Sequence, residues 1–126
     1  MRLLRQGEGW AEVALPFRGQ LAQPAGIAHG GALASLADSA AAIALSTLLD
    51  PQGQPFLAAE LRIRYLAPFG EGEARALARV ARRRGRLARV EVEVVDARDR
   101  PLARAVVTFL SVRSRDTQVG GRREEA

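Results

Sequence analysis

A chain of 126 residues and 13.6 kDa, 48% hydrophobic, suffices for one domain around one core. With no cysteine and a single histidine, disulfides and thiol nucleophiles are excluded and no metal centre is expected. The net charge of +5 and the pI near 11.3 come from arginine alone, in a chain that lacks lysine and asparagine and has 5% aromatic residues. That bias reads as compositional, and so few aromatics argue against base stacking, so no nucleic-acid partner is expected. The N-terminus lacks an apolar run of signal-peptide length, and the longest weakly polar run, 32–49, carries Asp38 near its middle. A soluble, cytoplasmic protein that does not enter a membrane is the expectation.

Along the chain, Gly9 to Leu15 reads as a first strand closed by Pro16, followed by a loop to Gly26. From Gly31 to Leu49 alanine and leucine dominate, and Leu33, Leu36, Ala37, Ala40, Ala44 and Leu48 recur at helical spacing. The Asp50-Pro51-Gln52-Gly53 segment ends that helix. The period then switches to two. Leu61, Ile63 and Tyr65 alternate with Glu60, Arg62 and Arg64; Ala74 to Val80 and Ala88 to Val94 repeat the pattern, each strand with one buried face. Arg84-Gly85 turns these last two into a hairpin, with Arg75 and Arg79 expected to face Glu91 and Glu93. A fifth strand runs from Leu102 to Val112, and 114–126 reads as a disordered tail after one domain over 1–113. One helix and a following run of strands give an α+β plan, an antiparallel sheet with the helix on its apolar face.

Two features of the helix call for chemistry. Gly30 and Gly31 follow His29 where the helix begins, and a glycine-flanked helix start presents free N–H groups. Asp38, nine residues after His29, lies between a stripe of Ser35, Ser39 and Ser46 and the apolar face. A mid-helix aspartate gains nothing from the helix dipole and is a poor helix former, so its presence needs another cause. Ser35, Asp38 and His29 do not form a hydrolase triad, because Ser35 lacks a Gly-x-Ser-x-Gly elbow.

The run His29-Gly30-Gly31-Ala32-Leu33-Ala34-Ser35-Leu36-Ala37-Asp38-Ser39-Ala40 resembles the signature of hotdog-fold acyl-CoA thioesterases, of the PaaI-type branch linked to phenylacetic acid degradation. Leu61 to Pro68 is similar to the family's second strand and following proline, and the likeness extends over residues 10–112. The resemblance implies a long helix wrapped by a curved antiparallel sheet. It implies that Asp38 is the catalytic carboxylate, either general base on water or nucleophile on the thioester. It further implies that the Gly30 N–H binds the thioester oxygen, that His29 shapes the turn, and that Gln23, fifteen residues before the acid, holds the water or thioester.

Coenzyme A would enter as part of the substrate, with no separate cofactor. Its phosphates suit arginine, which makes Arg82, Arg83, Arg84 and Arg86 candidates beside Gly31 for substrate binding. The resemblance also implies edge-to-edge homodimers with sites at the interface, paired into a homotetramer. Where many members carry serine or threonine on the second strand this chain has Ala58, beside Ala59. That departure keeps open a noncatalytic acyl-CoA binding or sensing module on the same fold, and the basic charge keeps a nucleic-acid module as a third reading.

Overall fold

The computed structural model describes residues 1–18 and 30–112. Its elements are β1 (Arg2–Gly7), β2 (Trp10–Pro16), α1 (Gly30–Ser46), β3 (Phe56–Tyr65), β4 (Glu73–Arg84), β5 (Leu87–Val95) and β6 (Pro101–Ser111). The strands form one six-stranded sheet in the order β1-β2-β4-β5-β6-β3, antiparallel at every pairing. The expected α+β plan, one helix packed on a curved antiparallel sheet, is therefore present. The chain has one strand more than its periodicity predicts: β1, which carries only Leu3 and Leu4 among polar residues, is held by pairing to β2 and not by an apolar face.

Alternation in β2, β4, β5 and β6 sends one side of each strand into the core. Small residues meet on both sides of that core. Ala37, Ala40, Ala41 and Ala44 of α1 are fully buried against a sheet face that includes Ala74, Ala76, Ala88 and Ala103. Alanine loses no rotamer freedom on burial, so this contact has little entropic cost, and its lack of bulk lets the helix axis approach the sheet.

The helix ends earlier than the Leu49 expected from sequence. The Thr47 hydroxyl donates to the Ala44 carbonyl and accepts the Gly9 N–H, both at 2.7 Å, which turns the chain out of the helix. The last turn tightens, with the Leu48 N–H on the Leu45 carbonyl at 3.0 Å. Arg83 then donates to the Leu48 carbonyl at 3.2 Å, a cation at the negative end of the helix.

Two turns fix the strands that follow. Gly85, at φ 59°, occupies the first loop position of the tight β4–β5 hairpin, a backbone shape that favours glycine. Between β5 and β6 the Asp96 carboxylate accepts the Arg98 and Arg100 N–H groups, each at 2.9 Å, and the Arg100 side chain at 2.9 Å. The Arg100 N–H first, then that of Arg98 and the Arg100 guanidinium, hold the Asp96 carboxyl below its ordinary value of 3.8.

Charges on the outer sheet face pair across strands. Arg79 meets Glu91 at 3.8 Å, as the alternation predicts. Arg75 does not face a glutamate of β5: its register partner is Val95, and it reaches instead to Asp99 and to buried Glu12, which Arg5 also holds at 3.2 Å. Both correspondences were expected from the alternation; the second fails because the Arg75 row crosses β5 one pair beyond Glu93. No helix among the described residues is long and apolar enough to cross a membrane.

Two outcomes follow from this packing. Ala40→Leu forces three extra carbon atoms into a contact built for methyl groups and should cost about 1–3 kcal/mol, read as a lower midpoint in thermal or urea denaturation. The Asp96 turn stabilises the fold fully above pH 3.8 and loses that contribution as pH falls through its lowered folded value. Acid denaturation of Asp96→Asn should accordingly show a flatter pH dependence below about 4 than the parent.

Candidate active site

Asp38 sits on the face of α1 that looks toward β3, half-buried. With Ala34 and Ser35 of the helix and Ala58, Ala59, Glu60 and Leu61 of β3, it lines an open depression of about 340 Å³. Among the described residues no hydrogen bond or ion pair engages the Asp38 carboxylate. Neither Ser35 nor an arginine among the described residues pairs with it, and the carboxylate faces a recess lined largely by small side chains.

β3 shapes that recess. It is an edge strand paired only to β6, and its register slips between Ala58 and Glu60, which leaves Ala59 as a bulge opposite Asp38. Ala58, Leu61, Ile63 and Tyr65 fall on the helix side; Glu60, Arg62 and Arg64 fall on the outer side, where Glu60 lies 3.9 Å from Arg62. The alternation is as expected, but the buried face is not: apart from half-buried Phe56 and Ile63 the whole strand is exposed. An edge strand has a neighbour on one side only, and α1 covers its inner face incompletely.

Gly30 begins α1, one residue before the expected start. Its N–H is among the first four that have no acceptor within the helix, and its carbonyl receives the Tyr65 hydroxyl at 2.7 Å. Gly30 and Asp38 are separated by eight helical residues, a rise of about 12 Å. One chain therefore does not bring the two groups onto a single carbonyl. His29 and Gln23 lie outside the described residues.

The arginine cluster at the β4–β5 hairpin divides. Arg83, paired in register with buried Ala88, is on the helix side, over the Phe56 ring at 5.7 Å and on the Leu48 carbonyl. Arg82 and Arg84, opposite Arg89 and Leu87, are on the outer side of the sheet. Arg86 donates to the Ser111 carbonyl at 2.9 and 3.2 Å. The cluster is thus not one patch. Tyr65, which the alternation marks only as a strand residue, is the group that sequence reading passes over; its sole signal is its place at the end of the inward series Leu61, Ile63, Tyr65. No group of three or more histidine, cysteine, aspartate or glutamate residues among the described residues is arranged to hold a metal ion.

Comparison with known proteins agrees with this fold. A 34% identical structure, a variant of the phenylacetic acid degradation protein PaaI from Thermus thermophilus, superposes with a TM-score of 0.79 over 88% of this chain and 92% of that one. A conserved protein from Pseudomonas aeruginosa, also 34% identical, gives a TM-score of 0.81 over 88% and 87%. A Saccharolobus solfataricus protein that carries a provisional esterase name is 26% identical over 91% of this chain and 81% of its own length. The fold is the hotdog arrangement of these neighbours. Residues 25–103, which hold the helix start, Asp38 and the β3 recess, match the family model for the thioesterase superfamily, and the chain belongs to that superfamily.

Proposed function

We propose that the protein hydrolyses an acyl-CoA thioester to the free acid and coenzyme A, as a PaaI-type hotdog enzyme. The observation that carries this reading is Asp38, a half-buried carboxylate without a partner among the described residues, facing a recess rich in alanine at an open sheet edge. Water attacks a thioester carbonyl slowly unless a base takes its proton. Asp38 either accepts that proton or attacks the carbonyl itself to give an anhydride that water then opens; both routes end in carboxylic acid and thiol. Charge that builds on the carbonyl oxygen is met by the Gly30 N–H, a type of donor worth about 3–4 kcal/mol where it has been removed in other enzymes. His29 shapes the turn that presents this N–H, and Gln23 holds the water or the thioester. No separate cofactor enters, and the task belongs to the cytoplasm, where CoA esters are made and used.

The separation of about 12 Å between Gly30 and Asp38 within one helix supports a site shared between two copies. Gly30 sits beside Tyr65, at one end of β3, and Asp38 beside Ala58 to Leu61, nearer the other. Antiparallel pairing of β3 with β3 of a second copy exchanges those ends and carries the partner's Gly30 toward this chain's Asp38. A ten-residue edge strand without proline is suited to such pairing. On the outer face Leu57, Leu110 and Leu87 form an exposed row across β3, β6 and β5, apolar surface on which two dimers can join as a tetramer. Arg83 is the hairpin arginine on the same side of the sheet as Asp38 and is the first candidate for a CoA phosphate; Arg82, Arg84 and Arg86 stand farther from that face. Gly31 lies beside Gly30 at the same helix start.

Ala58 and Ala59 in the recess favour the second reading, a module that binds acyl-CoA without turnover, because neither offers a hydroxyl to hold a water. Thiol release from short, long and aromatic acyl-CoAs separates the two. The wild type should turn over at least one of them, and Asp38→Asn should lose about 100-fold or more in kcat while it still binds the ester; binding without turnover by the wild type would favour the module. Sharing of the site has its own measurement. Asp38→Asn and Gly30→Pro, each inactive alone, should on co-refolding recover roughly a quarter of wild-type activity, since half the dimers are hybrids with one intact site of two. No recovery would place both groups in one chain's site.

A further inference from the structure

The two glycines that open α1 are there for different reasons. A Cβ on Gly30 would stand 3.0 Å from Cζ and 3.1 Å from the hydroxyl oxygen of Tyr65, whereas a Cβ on Gly31 would meet no heavy atom within 4 Å. Gly30 is small so that the Tyr65 ring can lie against it. Among the described residues nothing stands against Gly31.

The Tyr65 hydroxyl donates to the Gly30 carbonyl at 2.7 Å. That carbonyl already accepts an N–H within the ladder of α1, so the tyrosine is not needed to satisfy it. Nor does the ring fill the core, since Tyr65 is 49% exposed on the edge strand. The Gly30 carbonyl and the Gly31 N–H are two ends of one rigid peptide plane. A hydrogen bond at the oxygen fixes that plane and draws electron density from the N–H at its other end. The N–H so affected is the donor next to that of Gly30 at the helix start.

We propose that Tyr65 is a positioning residue for the thioesterase reaction: through the Gly30 carbonyl it holds the Gly30–Gly31 peptide and polarises the Gly31 N–H as a second donor to the thioester oxygen. The inference rests on the thioesterase reading given above. It also makes β3 serve the chemistry twice, through the recess at Ala58 to Leu61 and through Tyr65 at its far end.

Tyr65 is the only tyrosine of the chain, so growth on 3-fluorotyrosine alters this position alone. Thiol release is compared for wild type, Tyr65→Phe and the fluorotyrosyl protein, with circular dichroism and sedimentation on each. Tyr65→Phe should lose about tenfold in kcat at a KM within about twofold of wild type, with helix content and assembly unchanged. The fluorotyrosyl protein, whose phenol is the stronger donor, should equal or exceed wild type. A Tyr65→Phe kcat within about twofold of wild type overturns the proposal, as does a change confined to KM. A Tyr65→Phe protein that loses helix or dissociates overturns it too, in favour of a structural tether. Absence of thiol release by the wild type on every ester overturns the thioesterase reading and this role with it, which is a different result from an active wild type that Tyr65→Phe leaves unaffected.

Discussion

The close contact between an alanine-lined helix and an alanine-lined sheet face is the constraint on which the rest of the molecule depends. Ala37, Ala40, Ala41 and Ala44 have no side chain beyond Cβ to interlock with the strands, so the bulk that resists sliding of the helix along its axis comes from Leu33, Leu36 and Leu45, buried in the same core. Position along that axis is fixed further at the C-terminal end, where Thr47 takes the Gly9 N–H and Arg83 takes the Leu48 carbonyl. A helix pinned there keeps Asp38 over the β3 bulge, and the smallness of its neighbours leaves the recess open. The same composition that brings helix and sheet together thus makes room beside the acid.

Most of this architecture is legible in the sequence because periodicity reports burial directly. Ala88, Val90, Val92 and Val94 alternate with charged residues, and all four are buried. The helix is visible for a similar reason, although its end is not: the Thr47 hydroxyl, bonded to Gly9 far away in sequence, ends it before Asp50 and Pro51 are reached. β1 is hidden because a strand recruited by edge pairing needs no apolar alternation of its own. For β3 the alternation is present and the burial is not, since period two shows which side of a strand faces inward but says nothing of whether anything covers that side.

The site was legible in its residues and not in its distances. Asp38 stands out from sequence as an acid without a structural task, and the structure finds it without a partner among the described residues. The rise per residue of a helix already separates it from Gly30, yet only the placement of both along β3 gives that separation a meaning. The arginine run at the hairpin misleads for the opposite reason. Consecutive residues on a strand point to opposite faces, so Arg82 and Arg84 part from Arg83 although the three are adjacent in the chain. Tyr65 escapes notice because its role passes through a backbone carbonyl, and backbone partners leave no mark on a sequence.

The bulge at Ala59 carries a consequence for the fate of the molecule in a crowded solution. A long bare strand edge is a template on which any extended segment can be recruited, and repeated recruitment is how fibrils grow. An irregular edge breaks the even spacing of its free N–H and carbonyl groups, so a stray segment laid along it finds its bonds out of step past the bulge. A second copy of the same strand, turned end for end, carries the same irregularity and can be matched to it in few registers. The opposite edge of the sheet is six residues long, interrupted between Leu3 and Arg5 and lined by arginine. One edge that fits a copy of itself in few registers and one that offers little to any strand disfavour open-ended polymerisation, and the kink responsible also borders the recess beside Asp38.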